Sequence, residues 1–549
     1  MFTQNTYSQN IINVIASGDL RLLNDILDRS PDLINFQTEE GYNSVHFSCI
    51  MVKKEALKVL LEKGANPNLT NKWGTGPLHL AAAEGYVDIV EILVKNGALI
   101  NSRDKKGWTP LRWALLNGRK EVAEWLIKNS AEIDFPEDEY GMLIHEAAAC
   151  GYKDLLNSIV SKIGFINSLN KNGGTLLHSA AQGSLVDFIE EIFKSDLDIE
   201  AVDYYGLTPL HIAAYFNQKA SVQKLISLGA KLNTKCFGGK TPYNYAKVEG
   251  HSEIVELLIS AGADTADAVL PQIKGEYLGM KLPSSEPEVF APGIISTIDG
   301  SEFAGTFTPD GMEFFFTYRK PGILGNGIFY THGKNGNWIK PDFAPFANKT
   351  FEYEPHISFD GQRLFFGSRR PNPIGKNDYN YGWVVKKINN EWGIPEFIDT
   401  TVNNAWPMYF SEAANKTLYY TGNKKRGIYR SKFVDGKYLE PERLPDEEIN
   451  YLFNCAHPYI APDESYLIFD GRDERKNSDD TDLFISYRVN DGGWTKAINI
   501  GAPINSDADE MAASVSPNGK YLFFHSDRMG SADIFWVDAS FIEKLRPKE

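Results

Sequence analysis

Two periods of hydrophobic and polar positions divide the chain near its midpoint. In the first half, apolar residues recur at helical spacing, as in residues 87–93 (VDIVEIL), and predict amphipathic helices. Glycine-containing turns such as Lys72-Trp73-Gly74 lie between these stretches. After about residue 286 the pattern becomes short alternating segments separated by Gly, Asn and Pro, which is typical of β-strands joined by tight turns. We therefore expect an all-α first half and an all-β second half.

A unit of 33 residues repeats through the helical half. The motif at Gly74 (GTGPLHLAA) returns at Gly107 (GWTPLRWA) and at Gly206 (GLTPLHIAA). Five histidines lie on the same 33-residue grid, with Arg112 and Asn244 at the two other grid points; they are His46, His79, His145, His178 and His211. In these three copies proline begins the first helix, where its missing N–H has no cost. Because one helix pair cannot bury its apolar face alone, the units are expected to stack as a solenoid.

The unit resembles the ankyrin repeat closely. The resemblance rests on residues such as 208–214 (TPLHIAA) and 96–101 (NGALIN), and it extends over about residues 8–266 in roughly eight units. It implies that the grid histidines form hydrogen bonds inside the repeats. A metal site is the alternative, but helices packed about 10 Å apart are too distant to share ligands. The resemblance also implies that a protein partner binds the concave face, which hairpin tips and first helices form.

Aromatic residues occupy the variable positions of that predicted face. They are Tyr42, Trp73, Trp108, Trp113, Tyr204, Tyr205, Tyr215 and Phe216. Aromatic side chains are common anchors in protein interfaces, so we predict that the group contacts a protein partner. The alternative for individual members is packing between adjacent hairpins.

A second motif recurs about every 50 residues in the β half. The clearest copy is residues 515–524 (VSPNGKYLFF); others begin at residues 307, 357 and 460, with a degenerate copy near residue 409. Five copies at this spacing predict four-stranded blades around an axis. The last copy lacks a fourth strand, whereas residues 287–292 (PEVFAP) precede the first copy without a partner. Their pairing would remove the open edges, so we expect a five-bladed propeller closed by its N-terminal strand.

The turns of these copies, and the Ser526-Asp527-Arg528 end of the last one, resemble the WD40-like (PD40) repeats of the TolB propeller family. The resemblance spans about 250 residues and implies a propeller that serves as a protein-binding platform. Members of that family are usually exported. The predicted domains are residues 1–266 (ankyrin repeats), 267–285 (linker) and 286–549 (propeller with a short charged tail).

Ionisable residues precede or begin the predicted first strands of several blades. The set is Glu302, Glu352, Glu354, His457 and Glu510. If these side chains converge on the axis, they could bind a cation or a small ligand, or act as the acid–base pair of glycoside hydrolysis. The alternative is that they tie the blades together.

Composition narrows the choice of function. A net charge of −16 opposes a nucleic-acid or anionic-membrane partner. The four cysteines form no C-x-x-C pair, no stretch approaches the length of a membrane span, and the first residues lack the features of a signal peptide. We therefore expect a cytoplasmic, non-enzymatic adaptor or scaffold without cofactor or metal. The alternative is a propeller that binds or hydrolyses a carbohydrate or other small ligand, with the repeats as a targeting module.

Overall fold

The computed structural model describes most of the chain as two compact units. The described residues are 11–133, 140–163, 168–195, 197–267, 273–298, 300–319, 327–334, 337–348, 351–375, 380–473, 480–490 and 492–548. The first unit comprises Met1–Val202, Thr208–Asn233 and Tyr245–Thr265. The second comprises Asp203–Leu207, Thr234–Asn244 and Ala266–Glu549.

The repeat region consists of consecutive helix pairs. The first helices of neighbouring repeats pack on one another, and so do the second helices, which buries alanine and aliphatic side chains in a continuous core. After a helical stretch at residues 11–17 the helices are Leu20–Arg29, Ser44–Ile50, Lys54–Glu62, Pro77–Glu84, Val87–Lys95, Pro110–Leu116, Lys120–Lys128, Tyr140–Ala149, Lys153–Ile163, Leu176–Gln182, Val186–Phe193, Pro209–Tyr215, Lys219–Ser227, Pro242–Val248 and Ser252–Ser260. The predicted helical solenoid is confirmed.

The hairpin tips, called fingers below, have a shared construction. In the finger before Pro77–Glu84, the side-chain oxygen of Asn71 accepts from the backbone N–H groups of Trp73 and Thr75, each at 3.0 Å. Gly74 has φ +79°, and a Cβ there would lie 2.8 Å from the backbone nitrogen of Lys105 in the next finger. The N–H of Lys105 donates to the carbonyl of Trp73 at 3.0 Å. Glycine is thus required both by the turn and by the close approach of adjacent fingers.

The second unit contains five antiparallel sheets, the predicted blades. Blade 1 is Ser301–Phe307, Glu313–Arg319, Gly327–Lys334, Asn337–Trp338 and Asp342–Phe343; blade 2 is Glu352–Ile357, Arg363–Ser368, Tyr381–Ile388, Glu391–Trp392 and Glu396–Phe397; blade 3 is Pro407–Glu412, Leu418–Gly422, Gly427–Ser431 and Glu442–Arg443; blade 4 is Phe453–Ile460, Tyr466–Arg472, Asp482–Tyr487 and Ile498–Asn499; blade 5 is Glu510–Val515, Tyr521–Ser526, Asp533–Asp538 and Glu288–Val289. A small hairpin, Phe433–Val434 with Lys437–Tyr438, and the short helices Thr400–Asn403 and Phe541–Lys544 complete the unit.

The five blades form a closed ring. The first strand of each blade contacts the first strands of both neighbours, including that of blade 5 with that of blade 1, so these strands surround the axis. The ring is closed as predicted, because Glu288–Val289 pairs antiparallel with Asp533–Asp538 as the outer strand of blade 5. The next residue, Phe290, is fully buried against Phe314 and Trp536. A strand from the beginning of the domain therefore closes its last blade and removes the open edge.

The recurring turn motif has a structural cause. In blade 1 the N–H of Met312 donates to Asp310 at 3.0 Å, and the N–H of Glu313 donates to the hydroxyl of Thr308 at 3.0 Å. The residue after the acid or amide is left-handed in all five blades, with φ between +59° and +73°; these residues are Gly311, Gly361, Lys416, Glu464 and Gly519. Glycine is favoured there because it alone adopts this conformation without steric cost.

The predicted linker, residues 267–285, is described from residue 273 onward and packs on the core of the second unit. Trp338 donates from its backbone N–H to the carbonyl of Ile273 and from its indole to the carbonyl of Gly275, each at 2.9 Å. The buried ring of Tyr277 contacts Tyr521 and lies 5.8 Å from Trp536. This stretch is a brace on blades 1 and 5, which are adjacent in the ring.

Candidate functional site

The grid histidines serve the backbone of the repeats. The Nδ1 of His79 accepts from the N–H of Gly76 at 3.2 Å, and its Nε2 lies 3.0 Å from the carbonyl of Trp108 in the next finger. One ring nitrogen therefore accepts and the other donates, as in a neutral imidazole. Burial lowers the pKa of His79, and it lowers the pKa of His46 to about 4. The grid histidines are thus internal braces of the repeats.

Four predicted aromatics lie on consecutive fingers and first helices. Trp73 is 41% exposed, and its ring contacts Tyr42 at 6.2 Å between centroids. Trp108 is half-buried and lies 6.4 Å from Trp113. The indole of Trp113 donates to Asp104 at 3.0 Å, so this residue is fixed to its own finger. Trp73 is therefore the most accessible aromatic of this group.

The second group of predicted aromatics is split by the structure. Tyr204 is 49% exposed, but the adjacent Tyr205 is buried and cannot offer its ring as a contact surface. Tyr215 and Phe216 pack edge to face at 4.9 Å, and Phe216 keeps 37% of its surface exposed. Sequence reasoning missed Phe237, which is 48% exposed; its position 33 residues after Tyr204 is the signal that would have found it.

The three predicted carboxylates at the strand starts are fully buried and engaged. Glu510 accepts from the hydroxyls of Ser506 and Ser526 at 2.7 and 2.8 Å, and it pairs with Arg528. Glu352 makes the equivalent ion pair with Arg370, with Ser368 beside it. Burial raises the pKa of Glu352 and of Glu510, and the arginines oppose this shift.

Glu302 completes this set of carboxylates. It accepts from the hydroxyl of Thr297 at 2.8 Å. These contacts of the three residues join the beginning of a first strand to its own blade or to the loop before it, and they do not connect neighbouring blades. Glu302, Glu352 and Glu510 are 0% exposed, so they do not line an open acidic pocket.

Every first strand carries a bulge at the axis, and that of blade 4 carries a second one next to Asn454. The ladder shifts register next to a left-handed residue in each of the five blades, and these residues are Ala304, Glu354, Tyr409, His457 and Ala512. Tyr409 packs with the alanines of blades 1 and 5, which are small enough to admit it, and its hydroxyl donates to the carbonyl of Ala513 at 2.8 Å. Tyr409 therefore fills the axis at this level.

His457 lies between two buried carboxylates. Its Nδ1 is 2.8 Å from Asp470 Oδ2 of its own blade, and its Nε2 is 3.4 Å from Glu354 Oε1 of blade 2. Although burial alone lowers the pKa of His457, the two carboxylates raise it to about 10. Glu354, His457 and Asp470, which we call the axial clasp, thus hold an imidazolium that connects blades 2 and 4.

The predicted pair Glu354 and His457 is therefore brought together, whereas Asp470 was missed. A lone carboxylate after the apolar run Leu467-Ile468-Phe469 is the signal that could have found it. Glu354 Oε2 is buried without a hydrogen-bond partner among the described residues.

The described part of the chain gives little support for a metal site, a disulfide or a membrane-spanning helix. No group of three or more His, Cys, Asp and Glu residues suited to a metal ion occurs there, and Cys49, Cys150, Cys236 and Cys455 are free thiols. No described helix combines the length and apolar character needed to span a membrane.

Comparison with known proteins supports the interpretation of the first half. The family model for ankyrin repeats (three copies) matches residues 12–104, 45–137 and 144–236. The fold and this match together define a protein with N-terminal ankyrin repeats followed by an all-β five-bladed propeller. The WD40-like type of the propeller remains a prediction.

Short stretches also resemble curated proteins. One of 52 residues is 44% identical to the human transient receptor potential cation channel subfamily A member 1, covering 10% of this chain and 5% of that protein. Another of 74 residues is 34% identical to the NAD-capped RNA hydrolase NUDT12 of Homo sapiens and, separately, of Macaca fascicularis, covering 14% of this chain and 16% of each relative. The chain thus spans less than a fifth of the length of these relatives, and the activities of the whole proteins are not transferred.

Proposed function

We propose that the ankyrin repeats bind a protein segment across the fingers that carry Trp73 and Trp108. The observation that supports this is the exposure of Trp73 on a rigid finger, whose backbone is bonded to the fingers on both sides. The N–H of Lys72 donates to the carbonyl of Glu40 at 2.9 Å, and Lys105 donates to Trp73. A rigid exposed indole loses little conformational freedom when a partner covers it, which favours a role as an anchor.

In this proposal the protein is a non-enzymatic adaptor whose propeller offers a second binding surface. The buried and engaged state of Glu302, Glu352 and Glu510 favours a structural role for these residues over acid–base chemistry. We propose a cytoplasmic location, which the four free thiols support because reducing compartments keep thiols unpaired.

The test is site-specific cross-linking followed by affinity measurement. A photo-reactive phenylalanine analogue replaces Trp73 in the full chain, and a matched analogue replaces Phe359, an exposed aromatic of the propeller. We expect a partner that cross-links at position 73 and not at position 359. Its purified form should bind the Trp73→Ala variant about thirtyfold more weakly, the loss typical of a hot spot, and the Phe359→Ala variant unchanged. Equal cross-linking at both positions, or unchanged affinity of Trp73→Ala, would contradict the proposal.

A further inference from the structure

The exposed indole lies in the middle of a basic surface on an acidic chain. Lys72, Arg103, Lys105 and Lys106 are exposed on the same two fingers as Trp73 and Trp108, although the whole chain has a net charge of −16. We call these six residues the finger patch. Lys72 Nζ lies 4.5 Å from the centre of the Trp73 ring, and Lys106 Nζ lies 5.0 Å from that of Trp108. Cations and aromatic faces therefore alternate along the patch.

Few acidic groups neutralise this surface. Lys72 pairs with Glu40, but Arg103, Lys105 and Lys106 enter no ion pair within the described part of the chain. Asp104 is only 9% exposed, and its oxygens accept from the N–H of Lys106 and the indole of Trp113. The carboxylate of Asp104 is therefore occupied by hydrogen bonds within its own repeat.

The patch has acidic borders along the sequence. Glu39 and Glu40 precede it on one finger. Glu137, Asp138 and Glu139 follow it in the sequence and lie outside the described residues.

We propose that the finger patch binds an acidic protein segment that also carries apolar side chains. This inference rests on the proposed function and adds the chemistry of the partner. Carboxylates of the segment pair with Lys105 and Lys106, while an apolar side chain covers the exposed face of Trp73. Complementary charges speed association and select among partners, and the aromatic contact supplies most of the affinity. A nucleic acid is disfavoured, because its long polyanion would face the acidic remainder of the chain.

The test selects peptides without assuming a sequence. A random peptide library displayed on phage is panned on the full chain, with the Trp73→Ala variant used for counter-selection. We expect the enriched peptides to be acidic and to contain apolar residues. Enriched peptides that are neutral or basic would overturn the inference, while dependence on Trp73 would still support the proposed function. A selection that does not distinguish the two proteins would overturn both.

A matched pair of charge reversals then locates the site. The best peptide is synthesised with a fluorescent label, and its affinity is measured for Lys105→Glu/Lys106→Glu and for Lys128→Glu/Lys231→Glu, which changes net charge equally at exposed lysines elsewhere on the repeats. We expect at least about a tenfold loss for the first variant, little change for the second, and weaker binding of the unaltered chain at high salt. Equal losses in the two variants would overturn the inference. So would tighter binding of a labelled single-stranded oligonucleotide that competes with the peptide.

Discussion

A histidine of the repeats and the axial histidine of the propeller are held in opposite charge states. In the repeats, His79 is held by one donor and one acceptor of the backbone, and burial lowers its pKa. In the propeller, His457 is also largely enclosed but lies between Glu354 and Asp470, and its pKa is raised to about 10. Burial is common to both sites. The partner decides the charge: backbone amides hold a neutral ring, and carboxylates hold a cation.

The difference follows from the two architectures. A solenoid repeat contacts only its neighbours, so a histidine that connects adjacent fingers is sufficient. In a ring, residues from non-adjacent blades meet at the axis, and the axial clasp joins blade 2 to blade 4 across it. We therefore expect local consequences when a solenoid histidine is changed and consequences for the whole ring when the axial one is changed.

The largest effect is expected from His457→Gln. This change removes the cation and leaves the carboxylates of Glu354 and Asp470 buried near each other, so it should destabilise the propeller by about 3–5 kcal/mol. Urea denaturation measures the loss of stability, and hydrogen exchange of peptides from the propeller tests whether the loss lies in that unit. The triple variant Glu354→Gln/His457→Gln/Asp470→Asn is the control and should recover part of the stability. A cost below about 1 kcal/mol for the single variant would show that the clasp is unimportant.

His457 of the propeller and His46 of the repeats should contribute to stability with opposite pH dependences. The pKa of His457 is raised from 6.5 to about 10, so its contribution is complete below pH 6.5 and is lost as the pH rises to about 10. The pKa of His46 is lowered from 6.5 to about 4, so its contribution is complete above pH 6.5 and is lost as the pH falls to about 4. Hydrogen exchange measured separately for each unit between about pH 4 and pH 10 separates the contribution of His457 from that of His46. The alkaline slope should disappear in His457→Gln, and a slope that persists there would assign it to another group.

A smaller and local effect is expected from His79→Leu. Its backbone partners, the N–H of Gly76 and the carbonyl of Trp108, lose their side-chain bonds, which should cost about 1–3 kcal/mol. His79→Asn should cost less, because Asn244 at the same grid position accepts from the N–H of Thr241 and donates to the carbonyl of Ala266, each at 2.9 Å. Hydrogen exchange should increase mainly in the adjacent repeats. An equal increase throughout the propeller would contradict the local interpretation.

The smallest effect is expected at the turn of blade 3, where the left-handed residue differs from the glycine of three other blades. Lys416 has φ +67° where three other blades have glycine, and Lys416→Gly should stabilise the propeller by about 0.5–1 kcal/mol, since relief of strain exceeds the entropy lost by glycine. Gly311→Ala is the reciprocal change and should destabilise it by about 1 kcal/mol. Thermal unfolding of both variants provides the measurement. A loss of stability in Lys416→Gly would mean that the lysine side chain contributes more than the backbone strain removes.

Repetition made the fold predictable from the sequence. The 33-residue grid located the helix pairs, and the orphan strand before blade 1 predicted the closure by Glu288–Val289. Each repeat supplies an independent copy of the same pattern, so errors in one unit are corrected by the others. The stretch at residues 273–280 belongs to no repeat, and the sequence left open whether it is a linker or a brace.

The candidate sites were less predictable, because burial depends on tertiary neighbours. Tyr204 and Tyr205 were both assigned to the binding face, but they occupy a tight turn in which only Tyr204 is exposed. The role of Glu352 as the partner of Arg370 depends on a contact between residues 18 positions apart. Single positions in a sequence do not reveal such pairs.

The closing strand also sets the order in which the propeller can be completed during synthesis. Glu288–Val289 leaves the ribosome before any blade, whereas its partner Asp533–Asp538 is made after every other strand of the ring. Phe290 and its apolar neighbours therefore have no partner strand until more than 200 further residues have been translated. The ankyrin repeats need no such delayed partner and can assemble as they emerge. During synthesis the incomplete propeller is thus the part of this protein that most needs chaperones, because its apolar surface stays exposed until the ring closes.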